Sequence, residues 1–181
     1  MESIFNDGDA QSIEEMLASR DERVAYQNKI VAENPHKTLL AIKLNIPGPI
    51  KNNQKIDQLF STGLKKFLNE LEINDFRFSL LKQTAKPSGS EAFLLVENDI
   101  KKTKLEAIHF EDEDPLGRLF DIDVLGNDQQ AALSRVSLNL PVRKCFICSR
   151  PAKDCARSRR HSVAELQDKI SQLYYLELEN K

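Results

Sequence analysis

The stretch Leu119-Phe-Asp-Ile-Asp-Val-Leu125 alternates apolar and acidic residues with the period of a β-strand. Its three central apolar side chains fall on one face of such a strand and suit burial under helices: Phe120, Ile122 and Val124. Asp121 and Asp123 fall on the other face, with Cα atoms about 7 Å apart. The stretch therefore predicts a strand with one buried face and one face that presents two carboxylates together.

Two carboxylates at this spacing form a candidate site for a divalent cation. Mg²⁺ binds a few carboxylates and completes its shell with water and phosphate oxygens. Strands disfavour aspartate, and like charges at adjacent same-face positions repel unless something neutralises them. We therefore predict that Asp121 and Asp123 are catalytic and hold Mg²⁺ for phosphoryl chemistry, with Asp114 or Glu91 as candidates for a further ligand. The alternative is an ordinary strand whose solvent face carries two aspartates.

The rest of the chain predicts helices and strands around this strand. Two capping boxes, Ser12-Ile-Glu-Glu15 and Ser162-Val-Ala-Glu165, begin an N-terminal and a C-terminal helix. Periodic apolar residues predict further helices, and β-branched or aliphatic runs predict further strands. We expect helices over about 54–72 and 100–108, strands over 38–46, 76–82 and 92–97, and a helical turn or loop over 127–139.

The order αβαββαβ with a C-terminal helix predicts an α+β fold, an α/β layered arrangement of a mixed sheet with helices mainly on one face. We assign a catalytic α/β domain to residues 1–140. Residues 141–181 form a segment rich in cysteine and arginine, followed by the C-terminal helix. We expect this segment to pack on the same domain, so that the chain is a single domain overall.

Composition is that of a globular protein, with 181 residues, 40% apolar and 30% charged. No stretch approaches the roughly 20 apolar residues of a membrane span, and the acidic N-terminus lacks the regions of a signal peptide. We therefore expect a cytoplasmic protein without membrane contact.

Charge is distributed unevenly along the chain. Residues 106–128 carry eight acidic side chains and one basic one, whereas residues 143–160 carry seven basic side chains and one acidic one. These blocks suggest a cation and a phosphate as partners, or two solvated faces that offset one another. Arginine binds phosphate in a two-pronged fashion, so the basic block suits a polyphosphate or a nucleotide tail. Nucleic acid is disfavoured because the basic region is short and the net charge is −2.

The three cysteines lie within eleven residues of one another. Cys145-Phe-Ile-Cys148 is followed by Cys155 and His161, and together they offer the four ligands of a tetrahedral zinc site. A redox dithiol and three reduced cysteines in a packed lobe are the alternatives.

Five blocks of the sequence form a combination that is more specific than any one of them. The blocks are Pro87-Ser-Gly-Ser-Glu-Ala92, Gly117-Arg-Leu-Phe-Asp-Ile-Asp-Val124, Leu133-Ser-Arg135, Pro141-Val-Arg-Lys-Cys-Phe-Ile-Cys148 and Cys155-Ala-Arg-Ser-Arg-Arg-His161. Together they resemble the citrate lyase holo-protein synthases, the apo-citrate lyase phosphoribosyl-dephospho-CoA transferases. The resemblance covers most of the chain and is strongest from 117 to 166.

The resemblance implies a defined reaction. Members of this family transfer the phosphoribosyl-dephospho-CoA part of triphosphoribosyl-dephospho-CoA to a serine of the citrate lyase acyl carrier subunit, and pyrophosphate leaves. Asp121 and Asp123 would carry Mg²⁺ and activate the α-phosphate. Five arginines are candidates for neutralising the triphosphate and the leaving group: Arg118, Arg135, Arg157, Arg159 and Arg160. His109 and His161 are candidates for the general base by residue type alone.

This chemistry also suggests a nucleotidyltransferase-like fold. The general pattern of that fold places a Gly-Ser pair closer to the acidic pair, whereas Ser90 of Gly89-Ser90 lies 31 residues before Asp121. The fold assignment is therefore a hypothesis. A non-catalytic, zinc-containing module that binds a nucleotide or RNA through its arginines is the alternative function.

Overall fold

A computed structural model describes residues 2–126 and 132–179. This part of the chain contains five α-helices and four strands. In chain order they are α1 (Ile13–Glu33), β1 (Thr38–Leu44), α2 (Gln54–Ile73), β2 (Phe78–Lys86), β3 (Gly89–Val96), α3 (Ile100–Glu113), β4 (Phe120–Leu125), α4 (Ala152–Arg157) and α5 (Val163–Tyr174). Short 3-10 helices cover Gly117–Leu119 and Val136–Leu138, and a π-helix covers Tyr175–Glu179.

The four strands form one sheet in the order β2-β3-β1-β4, and every neighbouring pair is antiparallel. The prediction of a mixed sheet is therefore wrong. The helical connections through α2 and α3 each join two strands of the same direction, as helical crossovers normally do. In both cases, however, an antiparallel strand lies between the two: β3 separates β1 from β2, and β1 separates β3 from β4.

Most of the core lies on one face of the sheet, against α2, α3 and α5. Four phenylalanine rings form its centre, from α2, α3 and β4: Phe60, Phe67, Phe110 and Phe120. On the opposite face α1 is the one helix that packs among the described residues, through Tyr26 and Ile30 against Ala41 and Phe93. The helices thus lie mainly on one face, and the α1 face stays partly open.

Both predicted capping boxes are present, at Ser12 and Ser162. Helix α3 runs on to Glu113, beyond the predicted end at 108, so Glu111, Asp112 and Glu113 are helical. The six-residue α4 was not predicted because it is too short to show a periodic apolar pattern. Residues 127–131 of the predicted turn or loop lie outside the described residues.

No helix within 2–126 and 132–179 has the length and apolarity that a bilayer span requires.

Gly63 allows α2 to approach β4 closely, and this leads to a prediction about stability. A Cβ atom at position 63 would lie 2.3 Å from Cε2 of Phe120. We expect Gly63→Ala to destabilise the fold by about 1–3 kcal/mol, because this overlap outweighs the roughly 1 kcal/mol that alanine gains in a helix. Urea unfolding measures the change, with Ser61→Ala on the exposed side of α2 as the control. A Gly63→Ala protein as stable as the parent would contradict the close-packing argument.

Candidate active site

Strand β4 has the alternation that its sequence predicts. Its three central apolar side chains are buried, while Asp121 and Asp123 are partly exposed on the opposite face, the face that α1 partly covers. In the register with β1, Asp121 lies opposite Lys43 and Asp123 opposite Ala41. Both carboxylates therefore point to the open side of the sheet.

A row of alternating charges crosses this face. Lys43 on β1 is aligned with Glu91 on β3 and with Asp121 on β4. Its ammonium group forms an ion pair with the carboxylate of Asp121. Glu91 is buried, and its carboxylate lies 3.4 Å from the Lys86 ammonium and 4.0 Å from the Arg23 guanidinium. Each carboxylate of the row therefore has a cationic neighbour.

The two aspartates of β4 are in unequal electrostatic environments. Burial and the charge of Asp121 raise the pKa of Asp123. Burial also acts to raise the pKa of Asp121, but the charges of Lys43, Arg143 and Lys104 outweigh it, so that this pKa is lowered. Asp123 is therefore the carboxylate whose negative charge is least compensated, and an added cation would stabilise it.

The outer edge of β4 is covered by side chains. The Ile122 N–H donates to a Glu111 carboxylate oxygen at 2.9 Å, and the Lys104 ammonium donates to the Ile122 carbonyl at 3.0 Å. Arg143 donates to the Phe120 carbonyl at 2.7 Å. An open edge would leave these backbone groups unpaired. Here they are bonded, so the strand that carries the aspartates is fixed from both sides.

Two of the predicted substrate-binding arginines belong to this edge network. Arg135 donates to Glu111 and to Asp112, both at 2.7 Å. Arg118 donates to Asp112 at 3.4 Å and to the Lys144 carbonyl at 3.0 Å. The structure therefore brings Arg118 and Arg135 together at Asp112, where their guanidinium groups bind protein atoms.

The other three predicted arginines lie apart from these two. Arg157 ends α4, and Arg159 and Arg160 follow it, all three exposed. Within the described parts of the chain their side chains form no ion pair. They lie in the cysteine-rich segment, and no described contact joins them to the aspartates of β4.

A cavity of about 600 Å³ opens beside the charged row. It lies between the first half of α1, the end of β1 with the loop that follows, and the turn from β2 to β3. Its volume suits a nucleotide-sized ligand. Its walls include four cationic side chains and one carboxylate: Arg20, Arg23, Lys43, Lys51 and Glu91.

The Gly89-Ser90 pair, which is distant from the aspartates in sequence, lies in the wall of this cavity. Ser88, Gly89 and Ser90 line it at the β2–β3 turn. Gly89 has φ +127°, a conformation that glycine adopts at low cost. The Ser90 hydroxyl donates to Asp57 and is held in place by it.

Sequence reasoning missed the cations of the cavity. Lys43 offered a signal, because it is the one charged residue in the β1 segment Thr38-Leu-Leu-Ala-Ile-Lys-Leu44. Arg20 and Arg23 offered none, since a surface helix commonly carries arginine. Their relevance depends on how α1 lies across the sheet.

The remaining candidates for a metal ligand or a general base lie on different faces of the sheet. Glu91 shares the face of the aspartates, whereas Asp114 caps the end of α3 and pairs with Lys66 of α2 at 3.2 Å. His109 is exposed on α3, near Glu70. Asp114 and His109 therefore belong to the helical layer on the other side of the sheet.

The structure brings the four predicted zinc ligands together. One ligand atom from each of Cys145, Cys148, Cys155 and His161 lies within 4.8 Å of all the others. Hydrogen bonding to His161 is the largest of the effects that lower the pKa of the Cys148 thiol to about 6. All three cysteines are free thiols.

The fold and the site define an α+β protein that presents a carboxylate pair beside a cation-lined cavity, as enzymes acting on phosphorylated substrates often do. The profile of the family described as apo-citrate lyase phosphoribosyl-dephospho-CoA transferase matches residues 11–176. The chain therefore belongs to the apo-citrate lyase phosphoribosyl-dephospho-CoA transferase family and is a transferase, which confirms the resemblance seen in its sequence blocks.

Individual relatives agree with this assignment. A protein from Streptococcus pyogenes serotype M18, named as a probable apo-citrate lyase phosphoribosyl-dephospho-CoA transferase, is 37% identical over 170 residues, which cover 93% of this chain and 88% of that protein. A protein from Citrobacter koseri, named as apo-citrate lyase phosphoribosyl-dephospho-CoA transferase, is 35% identical over 167 residues, which cover 92% of this chain and 90% of that protein. Protein CitXG from Haemophilus influenzae is 33% identical over 169 residues, covering 92% of this chain but 36% of the longer protein.

Proposed function

We propose that this transferase moves the phosphoribosyl-dephospho-CoA group from triphosphoribosyl-dephospho-CoA to a serine of the citrate lyase acyl carrier subunit, in the cytoplasm. The serine oxygen forms a bond to the α-phosphorus, the bond from that phosphorus to pyrophosphate breaks, and the serine proton leaves to solvent. The observation that carries the proposal is the Asp121 and Asp123 pair on the open face of β4, next to a cavity lined by cations.

The carboxylate pair fits a magnesium ion. Both donors are hard oxygen ligands on one strand face. Asp121 is paired with Lys43, whereas burial and Asp121 raise the pKa of Asp123, so an added cation would stabilise the ionised form of Asp123. Mg²⁺ bound there would offset the charge that develops on the phosphate oxygens. Lys43, the present partner of Asp121, is also a cavity residue, so its ammonium can turn toward a phosphate when Asp121 is otherwise neutralised.

The cavity is the proposed binding site of the triphosphate. Its cations are positioned before substrate arrives, and charge-assisted contacts from them would hold the phosphates beside the aspartates. Arg118 and Arg135 are less suited, because protein acceptors already hold their guanidinium groups. Arg157, Arg159 and Arg160 are exposed, and we propose that they contact the nucleotide end of the donor or the carrier protein.

Replacing Arg20 tests whether the triphosphate binds in this cavity. Its side chain is exposed in the cavity and forms no ion pair in the described residues, so replacing it should leave the fold intact. We expect Arg20→Ala to raise KM for the donor roughly tenfold, the loss of one charged hydrogen bond. Initial rates against donor concentration give this value, with Arg77→Ala, an exposed arginine at the other end of the sheet, as the control. An unchanged KM in Arg20→Ala and a raised one in Arg159→Ala would place the triphosphate at the cysteine-rich segment instead.

The mass of the acyl carrier subunit after incubation tests the reaction itself. Incubation with the acyl carrier subunit, the donor and Mg²⁺ should raise the mass of the carrier by one prosthetic group and release one pyrophosphate. A carrier whose serine is replaced by alanine should gain nothing. No mass gain, together with salt-dependent RNA binding that survives replacement of both aspartates, would favour the binding module instead.

A further inference from the structure

The cluster of Cys145, Cys148, Cys155 and His161 has the geometry of a metal site that the proposed transfer does not use. We propose that it binds one structural zinc ion, which holds the segment 143–161 against the outer edge of β4.

The distances in the cluster match a tetrahedral zinc site. With Zn–S bonds of about 2.3 Å, neighbouring ligand atoms lie about 3.8 Å apart. The Cys148 and Cys155 sulfurs are 3.4 Å apart, and the His161 Nε2 atom is 3.3 Å from the Cys148 sulfur. Four protein ligands leave no open position, which is typical of structural zinc rather than catalytic zinc.

The backbone around the cluster presents the cysteines in a tight turn. The Cys145 N–H donates to the Arg150 carbonyl at 2.7 Å, and the Ala152 N–H donates to the Arg143 carbonyl at 2.8 Å. Helix α4 then delivers Cys155, and the turn after it delivers His161. These elements need some other source of stability, because a six-residue helix is marginal alone.

The apolar core supplies little of that stability, since the segment reaches the core through the half-buried Phe146. Between residues 141 and 162 only two residues are buried, and both are cysteines of the cluster, Cys145 and Cys155. Small units with so little apolar burial normally depend on a metal or on disulfides. All four side chains that face one another here are metal ligands by type, so zinc accounts for the order of the segment.

The segment is joined to the strand that carries the aspartates. Arg143, two residues before Cys145, donates to the carbonyls of Phe120 and Arg118. The Arg118 guanidinium donates in return to the Lys144 carbonyl at 3.0 Å. The bonded carbonyls of Arg118 and Phe120 lie just before Asp121, so a zinc ion that fixes the segment also fixes Arg143 at the edge of the strand that carries the aspartates.

The test begins with metal content and does not depend on the transferase assay. Protein purified without chelator should contain about one zinc per chain, and Co²⁺ exchanged into the site should show the absorption of a tetrahedral thiolate complex. His161→Ala should lose the metal, while His36→Ala, an exposed histidine before β1, should retain it. Absence of zinc, with three freely titratable thiols or with two of them oxidised to a disulfide, would overturn the proposal.

Hydrogen exchange tests the structural part of the proposal even where a variant folds poorly. Removing the metal from the parent protein with a chelator should speed exchange of the Cys145 and Ala152 amides at least tenfold, roughly the effect of local unfolding, while amides of α2 stay protected. Unchanged exchange would show that the metal does not hold the segment. Asp121→Asn should retain zinc, so loss of transfer in that variant and loss of zinc are separate results.

Discussion

Replacing Asp121 or Asp123 by asparagine should lower the rate of transfer to the carrier by roughly 10³-fold. Asparagine keeps the shape of the side chain but removes the charge that would hold Mg²⁺. The mass gain of the carrier with time measures the rate, and Asp168→Asn on the exposed side of α5 is the control. Transfer at the parent rate by either variant would show that the carboxylate pair is not the metal site.

The same two substitutions should affect stability with opposite signs. The pKa of Asp121 is lowered in the fold, so its ionised form stabilises the protein at neutral pH and this contribution is lost as the pH falls. The pKa of Asp123 is raised, so its ionised form opposes folding at neutral pH. We expect Asp121→Asn to be slightly less stable and Asp123→Asn slightly more stable than the parent, each by less than about 1 kcal/mol because both groups reach solvent. Urea unfolding at pH 7 distinguishes these signs, and a higher stability of Asp121→Asn than of the parent would contradict the ion pair with Lys43.

The sequence predicts the local parts of this fold and site well. The period of two in β4 fixes which of its side chains are buried, and the capping boxes fix the starts of α1 and α5. Cysteine and histidine spacing correctly indicates which four residues meet, because they lie within 17 residues of chain. In each case the signal and the contact are close together in sequence.

The features that were missed depend on contacts between distant segments. The antiparallel sheet follows from the β2–β3 hairpin placing β3 beside β1, which no single helix or strand pattern reveals. The cavity requires α1 to lie across the far face of the sheet. The ion pair of Arg135 likewise depends on Glu111, a residue of another element. Residue type alone cannot distinguish an arginine that binds phosphate from one that pairs with a buried carboxylate.

Arg135→Ala should therefore destabilise the fold rather than weaken donor binding. Its side chain is 12% exposed and pairs with Glu111, whose side chain is 5% exposed and which also accepts from the Ile122 N–H. Removing the arginine leaves this carboxylate buried without its cation, which typically costs about 3–5 kcal/mol. For a chain of this size the expected fall in Tm is about 10 °C.

A second variant separates the ion pair from a role in catalysis. In the Arg135→Ala background, Glu111→Gln removes the unpaired charge while its amide oxygen can still accept from Ile122, so part of the stability should return. Arg157→Ala, which breaks no ion pair in the described chain, should leave Tm unchanged. Arg135→Ala could instead be as stable as the parent and raise KM for the donor. Arg135 would then be a substrate ligand, as the family resemblance implied, and the edge of β4 would not depend on it. Recovery by Glu111→Gln would instead show that Arg135 acts on the aspartates only through the strand that carries them.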